Sequence, residues 1–238
     1  MIHYHGTPFT PISERQKMAG KNFCVSFAHP ADADWCMAHG QSIMWDNGAF
    51  SAYKSGAKFS PSAFAKWVEP RLGHPHWAVI PDVIDGSVGE QRSMIAAWPH
   101  SRDFSAPVWH MAMPVDWLLE LLDGWPRVCF GSSGQYWQVG STSWERRADE
   151  AWNAIEKRGL RPWVHMLRGL ALCGDRWPFA SADSVNVALN FKGSKSRNLS
   201  PVCPERMARN IDARQSPIRW HSRPEQIDFF SHEQKEMQ

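Results

Sequence analysis

Short apolar runs recur along the chain, and stretches of helical or loop character separate them. Several of these runs are continuously apolar, which is typical of strands buried on both faces of a parallel sheet. Eight such runs with crossover segments between them predict an α/β fold, a (β/α)8 TIM-like barrel. The predicted strands cover residues 2–5, 23–27, 42–45, 77–80, 108–111, 127–130, 163–167 and 184–189.

The helix signals are less even than the strand signals. Ser60 is a favourable N-cap, and Pro61 is a favourable first residue for the helix that follows it. Some crossovers are too short for a full helix, so we expect a somewhat irregular barrel. The predicted helices cover residues 61–67, 116–122, 143–157 and 205–213, and Gly159 lies just past the end of the third.

Length and composition indicate one main domain. A chain of 238 residues with 43% hydrophobic content can build one barrel core. We expect the catalytic barrel over residues 1–200 and a basic C-terminal helix and tail, packed on the barrel, over residues 201–238. The five cysteines are scattered without a C-x-x-C pair, which indicates a reducing compartment and no compact zinc motif.

The N-terminus is polar, and no apolar run approaches the ~18 residues of a membrane span. We therefore expect no signal peptide, no contact with a membrane and a cytoplasmic location.

Positive charge is concentrated near the C-terminus, although the net charge is only +2. Eight basic residues and two acidic ones, Glu205 and Asp212, lie between residues 192 and 223, so this segment carries about +6. Such an excess suits a phosphate-binding surface, and a solvated polar face is the alternative interpretation. The basic residues are Lys192, Lys195, Arg197, Arg206, Arg209, Arg214, Arg219 and Arg223.

Polar side chains follow most of the predicted strands, at the rim where barrel enzymes place their active sites. Asp46 follows the third strand, Asp82 the fourth, and Asp183 lies at the eighth. A site needs several carboxylates when one is a nucleophile and another an acid or base. The other strand ends carry His5, His29, His110, Gly131-Ser132-Ser133-Gly134 and Arg168-Gly169.

These motifs, in this order, resemble the tRNA-guanine transglycosylase family. The likeness is greatest to its phage and genomic-island branch, which inserts 7-deazaguanine bases into DNA. The segment from Asp46 to Phe50 is similar to the family's D-S-G-G-F/Y, and Asp82 resembles its purine-reading Asp. Gly131-Ser132-Ser133-Gly134 lies where the family has a glycine-rich, base-contacting loop. Residues 165–170 resemble R-Y-L-M-G-V, and residues 183–186 fall where the family has D-x-F-D.

Two departures from the family pattern change what the resemblance implies. The position that matches the family's nucleophile is Asn186, and an amide cannot usefully attack an anomeric carbon. Either Asp183 has taken over the role, or the alignment with the family motif is off by three residues, or the protein is not a working transglycosylase. Of these we expect Asp183 to be the nucleophile. The C-x-C-x-x-C…H zinc site of the tRNA enzymes is missing, and the basic stretch from Lys192 stands in its place.

The resemblance implies a double displacement that replaces guanine with a 7-deazaguanine derivative, through a covalent link to an Asp. The acceptor is expected to be DNA in preference to RNA. No metal or other cofactor is expected, and a homodimer is a suitable assembly. Catalytic roles fall to Asp46 and Asp183, and base contacts to Asp82, Gly48, Phe50, Ser132, Ser133, Gly134, Arg168, Gly169 and Asn186. Nucleic-acid contacts are expected from Lys192, Lys195, Arg197, Arg206 and Arg209, and lid contacts from Phe50, Trp109 and Tyr136.

Two other functions remain open from the sequence. His3, His5, His110, His165 and Asp183 loosely mimic the ligand set of a metal-dependent amidohydrolase. A non-catalytic nucleic-acid or base-binding paralogue is the second alternative, which Asn186 and the basic segment favour.

Overall fold

The computed structural model describes residues 1–193, 195, 196, 198 and 200–221. Its centre is a parallel sheet of nine strands in the order β5-β4-β3-β2-β1-β9-β8-β7-β6. The strands are β1 Ile2–Gly6, β2 Asn22–Ser26, β3 Ser42–Asp46, β4 Trp77–Val79, β5 Ser105–Ala106, β6 Val108–His110, β7 Arg127–Gly131, β8 Trp163–Met166 and β9 Ser181–Ser184.

The two edges of this sheet meet in consecutive residues. β5 pairs with β4, β6 pairs with β7, and only Pro107 separates β5 from β6. Proline has no N–H to donate to a ladder, but the Pro107 carbonyl still accepts a hydrogen bond from the Cys129 N–H at 2.8 Å. The sheet therefore forms a nearly closed barrel, which is compatible with a TIM-like fold. The short strand β5 was not expected from the sequence.

Helices cover the outside of the barrel. In the described residues they are α1 Ile12–Gln16, α2 Ala33–His39, α3 Ala49–Ser55, α4 Pro61–Val68, α5 Val88–Ala96, α6 Val115–Gly124, α7 Thr142–Lys157, α8 Asn186–Asn190 and α9 Pro204–Asp212. The Ser60 hydroxyl accepts a hydrogen bond from the Ala63 N–H at 3.3 Å, so the predicted N-cap of α4 is confirmed. The connection from β8 to β9, residues 167–180, contains only a short 3-10 turn, Leu170–Leu172, in place of an α-helix, in line with the expected irregularity.

Alternation along the strands separates an inner from an outer face. Phe23, Trp45 and Phe130 point outward into the cores beneath the helices. The strand residues of opposite parity point inward and pack together inside the barrel. They are Tyr4, Cys24, Met44, Trp77, Val79, Ala106, Val108 and Cys129. The inner face becomes polar towards the carboxyl ends of the strands.

The predicted eighth strand, residues 184–189, is wrong. The strand is β9, Ser181–Ser184, and the following residues form α8. The apolar run that ends at Leu189 was interpreted as a strand, but the Ser184 hydroxyl accepts the Asn186 N–H at 3.0 Å and the chain turns into a helix. Val187 and Phe191, four residues apart, then pack in one core, whereas Leu189 is exposed.

The C-terminal helix α9 packs with Ala208 against the same core as Val187. Residues 222–238 lie outside the described residues, as do Arg197 and Arg223. Within the described ranges, no helix is long and apolar enough to cross a membrane.

Candidate functional site

Three carboxylates converge at the carboxyl ends of the strands. Asp46 is the last residue of β3, Asp82 follows β4, and Asp183 lies in β9 on the inner face. Burial raises the pKa of Asp46 to about 6, and the negative charges of Asp183 and Asp82 add to this rise. Hydrogen bonds with Ser26 and with the Gly48 N–H oppose it. One carboxyl is therefore poised to exchange a proton near neutral pH, as the predicted rim site requires.

Asp82 is held by two side chains. The Asn47 amide donates to its Oδ1 at 2.8 Å, and Nε2 of His110 lies 2.9 Å from its Oδ2. Nδ1 of His110 is buried and has no hydrogen-bond partner. An imidazole that donates from Nε2 to a carboxylate presents an acceptor at Nδ1, so His110 can accept a hydrogen bond from a ligand.

Asp183 is paired with a second imidazole, that of His165. Nε2 of His165 lies 3.2 Å from Oδ1 of Asp183, and Nδ1 lies 2.6 Å from the Ser181 hydroxyl. The backbone N–H of Arg168 donates to the same Oδ1 at 2.7 Å. His165 thus uses both ring nitrogens inside the protein, whereas His110 keeps one of them available.

The segment after Asp46 turns sharply because of Gly48. This glycine has φ +80° and precedes α3, and a Cβ at this position would lie 3.0 Å from the Ala28 nitrogen. The Asn47 side chain accepts the Ala49 N–H at 2.7 Å while it donates to Asp82 and to the Ile80 carbonyl. The Asp-Asn-Gly sequence therefore connects two of the three carboxylates.

The loop after β7 contributes one available hydroxyl and one that is already bonded. Ser132 accepts a hydrogen bond from the Trp144 indole at 2.9 Å, so its hydroxyl is tied to α7. The Ser133 hydroxyl is buried and lacks a partner. Gly134 follows at the exposed surface with φ +53°, which favours glycine. Of the two serines expected to contact a base, Ser133 has the freer hydroxyl.

Arg168 and Phe50 meet between the β3 and β8 sides of the barrel mouth. The Arg168 guanidinium lies 4.1 Å from the Phe50 ring centroid and donates to the Ser132 carbonyl at 2.9 Å. Burial lowers the pKa of Arg168, which the charges of Asp183 and Asp46 oppose. Arg168 also has φ +60°, which directs its N–H to Asp183. A Cβ on Gly169 would lie 2.2 Å from Cγ of Met166, so this position requires glycine.

The other predicted residues are exposed, half-buried or in the core. Asn186 is exposed at the start of α8, where its backbone carbonyl accepts a hydrogen bond from Asn190. Trp109 is fully buried in the core under α6 and α7, which contradicts its expected place in a lid. Tyr136 is half-buried, with the Arg147 guanidinium 5.7 Å from its ring centroid.

The predicted nucleic-acid contacts are exposed where the structure describes them. Lys192, Lys195 and Arg206 are exposed, and so is Arg209, which pairs with Glu205 on α9. Arg197 lies outside the described residues.

The histidines proposed as metal ligands are split between two faces of the sheet. His3 and His5 point outward to Asp212 of α9, whereas His165 and Asp183 lie inside the barrel. Among the described residues, no group of three or more His, Cys, Asp or Glu side chains is arranged to hold a metal. The amidohydrolase ligand set is therefore not assembled.

The buried thiols near the carboxylates are poor nucleophiles. Burial raises the pKa of Cys24 well above its usual value, as do the charges of Asp183 and Asp46. The pKa of Cys129 is raised by burial and by all three carboxylates. Because the thiolate is the reactive form, the carboxylates are the better candidate nucleophiles.

Comparison with known proteins adds no family to this description. No protein-family model matches the chain, and a search of curated proteins finds no match.

Sequence reasoning missed how Asn47, His110 and His165 act together with the acids. Asn47 belonged to a noted motif and His110 to a noted strand end, but their shared partner Asp82 is 35 and 28 residues away in sequence. The inward direction of His165 follows from its parity with Trp163 in β8, a signal that was present in the sequence.

Proposed function

We propose that this protein is a base-exchange transglycosylase. It replaces guanine in a nucleic acid, DNA in preference to RNA, with a 7-deazaguanine derivative. The observation that carries the proposal is the meeting of Asp46, whose pKa is raised to about 6, with Asp183 and Asp82 at one end of the barrel. Glycosyl transfer with a covalent intermediate needs a carboxylate nucleophile beside a second carboxyl that exchanges protons.

In the first displacement, a carboxylate oxygen of Asp183 attacks C1′ of the target nucleoside. The bond between C1′ and the base nitrogen breaks, and the electron pair leaves with the base. Asp46 donates its proton to the departing guanine. The sugar is then an ester of Asp183, and Asp46 is a carboxylate. A target base in a duplex must first be flipped out of its stack to reach this site.

In the second displacement, the Asp46 carboxylate removes a proton from the ring nitrogen of the incoming 7-deazaguanine. That nitrogen attacks C1′, and the ester bond to Asp183 breaks. Asp183 returns to its carboxylate form and Asp46 to its acid form. Because Asp46 exchanges one proton in each half of the cycle, a carboxyl pKa near the working pH suits the reaction.

Base recognition falls to the polar atoms that remain available around the carboxylates. Asp82 is oriented by Asn47 and His110 and has further lone pairs that can accept the N–H groups of a guanine edge. Nδ1 of His110 is a further acceptor, and the Ser133 hydroxyl can donate or accept. Phe50, held under Arg168, offers an aromatic surface on which a flat base can stack.

We also propose that the sheet is a (β/α)8 barrel and that the protein is related to the tRNA-guanine transglycosylases. Counting β5 and β6 as one strand interrupted at Pro107 gives the eight strands of a (β/α)8 barrel. The likeness in motif order to the tRNA-guanine transglycosylases supports the reaction. Exposed Lys192, Lys195 and Arg206 suit a phosphate backbone.

The test is incorporation of a labelled 7-deazaguanine into DNA, followed by nucleoside analysis. We expect the wild-type protein to exchange the base, and Asp183→Ala to abolish exchange while DNA binding is retained. Asp85→Asn is the matched control, because Asp85 is an exposed carboxylate whose partner is the Tyr53 hydroxyl. Exchange by Asp183→Ala at the wild-type rate would contradict the assignment. DNA or base binding by the wild type without any exchange would favour the non-catalytic alternative.

A further inference from the structure

Asp183 is fixed by a hydrogen-bond chain that begins deep in the barrel. The chain runs from the Ser181 hydroxyl to Nδ1 of His165 at 2.6 Å, and from Nε2 of His165 to Oδ1 of Asp183 at 3.2 Å. Ser181 and His165 are both fully buried. Three aromatic rings surround the imidazole, with centroid distances of 5.8 Å to Tyr4, 5.3 Å to Trp77 and 6.3 Å to Trp163.

The hydrogen-bonding groups on either side of His165 select one tautomer of its imidazole. An ionised Asp183 only accepts hydrogen bonds, and the Arg168 N–H already donates to its Oδ1. A lone pair on Nε2 of His165 would face that oxygen and repel it, so the proton must lie on Nε2. In the neutral imidazole Nδ1 is then the acceptor, which leaves the Ser181 hydroxyl as its donor.

We propose that His165 is a positioning residue for Asp183, held by Ser181 in the Nε2–H tautomer so that Oδ1 stays fixed and the other carboxylate oxygen carries out the attack. This inference rests on the proposed function for the reaction, but the hydrogen-bond chain itself exists without substrate. His110 differs, because its Nδ1 is buried without a partner and its Nε2 meets Asp82. The two imidazoles therefore differ: His165 uses both ring nitrogens within the protein, whereas one ring nitrogen of His110 has no protein partner.

Two variants separate hydrogen bonding from packing at His165. Gln can place an N–H donor where Nε2 of the imidazole lies, whereas Phe keeps an aromatic ring and removes the donor. We expect His165→Phe to lower the exchange rate about 100-fold, with a smaller change in KM. His165→Gln should restore the rate to within about tenfold of the wild type. Equal rates in the two variants would overturn the positioning role.

The tautomer of His165 can be measured on the free protein, without an activity assay. We expect the ¹⁵N spectrum of the His165 ring in the wild-type protein to show a proton on Nε2 and a hydrogen-bonded, unprotonated Nδ1. Ser181→Ala should shift the Nδ1 resonance, whereas Ser105→Ala should leave it unchanged. Ser105 is the matched control because its buried hydroxyl is bonded to Trp98 and to the Ser101 carbonyl, and Trp98 is not one of the rings around His165.

The outcomes distinguish the two claims. A proton on Nδ1 of His165, in a neutral or a charged ring, would overturn the proposed hydrogen-bond chain, whatever the activity of the protein. The expected spectrum in a wild-type protein that performs no base exchange would instead overturn the proposed function, and with it the role of His165 in that reaction.

Discussion

The guanidinium of Arg168 lies 4.1 Å from the ring centroid of Phe50, so a residue after β8 and a residue of α3 are joined beside the carboxylates. The same Arg168 gives its backbone N–H to Asp183, and it does so from a left-handed backbone conformation with φ +60°. Residues other than glycine rarely adopt this backbone conformation, because it brings Cβ close to the following carbonyl oxygen. The backbone geometry that serves Asp183 therefore has an energetic cost.

Substitutions at Arg168 should separate that backbone cost from the side-chain stack. Arg168→Ala and Arg168→Gly both lose the contact with Phe50, but glycine adopts φ +60° freely. We expect Arg168→Gly to be more stable than Arg168→Ala by about 1 kcal/mol in urea denaturation. If the alanine variant is equally or more stable, Arg168 does not keep this conformation in solution.

The raised pKa of Asp46 predicts a pH-dependent stability. The folded state binds the proton more tightly than the unfolded state, so the free energy of unfolding falls as pH rises from about 4 through about 6. Asp46→Asn removes this penalty and should be more stable than the wild type at pH 8, by about 1–3 kcal/mol. Asp46 keeps part of its surface exposed, so we expect the lower part of that range.

Urea denaturation of the wild type and Asp46→Asn at pH 8 and pH 5 checks this sign. We expect the advantage of the variant to shrink by about half at pH 5, because Asp46 is then largely protonated in the folded wild type. A difference that is constant between the two pH values would show that Asp46 does not titrate in this range.

Gly131 should be required for ligand access to His110. A Cβ at Gly131 would lie 3.1 Å from Nδ1 of His110 and 2.9 Å from Cγ1 of Val108. We expect Gly131→Ala to cost about 1–3 kcal/mol in stability and to raise the Kd for a 7-deazaguanine base in calorimetry. Gly89→Ala in α5 is the matched control, since its Cβ would meet only the Ser87 hydroxyl, at 3.8 Å. Unchanged base affinity in Gly131→Ala would remove His110 from the binding site.

Asp212 should be a main attachment point of α9. It accepts from Lys21 at 2.7 Å and lies 2.9 Å from Nε2 of His5, so one partly buried carboxylate joins the helix to β1 and to the residue before β2. We expect Asp212→Asn to lower the free energy of unfolding by about 1–3 kcal/mol. Asp123→Asn, which breaks the exposed pair with Arg158, should cost less than about 1 kcal/mol. Equal losses in the two variants would contradict this role for Asp212.

The sequence predicts most of the strands because their outward faces are apolar. Trp45 and Phe130, for example, lie in continuous hydrophobic runs that face the helices. β9 is the exception, because its inner residues Ser181 and Asp183 bond to His165 and leave the strand with a polar pattern. Local sequence does not contain that requirement, since it comes from a strand 18 residues earlier.

The positions of the carboxylates in the candidate site could be predicted from the sequence, but their hydrogen bonds could not. The position of Asp46 and Asp82 after apolar runs was sufficient to place both at the rim. The pairing of His110 with Asp82 and of His165 with Asp183 joins consecutive strands of the predicted barrel, but it depends on the register between those strands, which the sequence does not define. The partnerless Nδ1 of His110 likewise emerges only from the packed barrel.

The most direct test of the account is to find where the sugar becomes attached. Wild-type protein would be incubated with guanine-containing DNA in the absence of an incoming base, denatured and digested, and its peptides analysed by mass spectrometry. We predict a DNA adduct on the peptide that contains Asp183, at that carboxylate, and none in Asp183→Ala. An adduct on Asp46 or another residue, or base exchange by Asp183→Ala, would contradict the account.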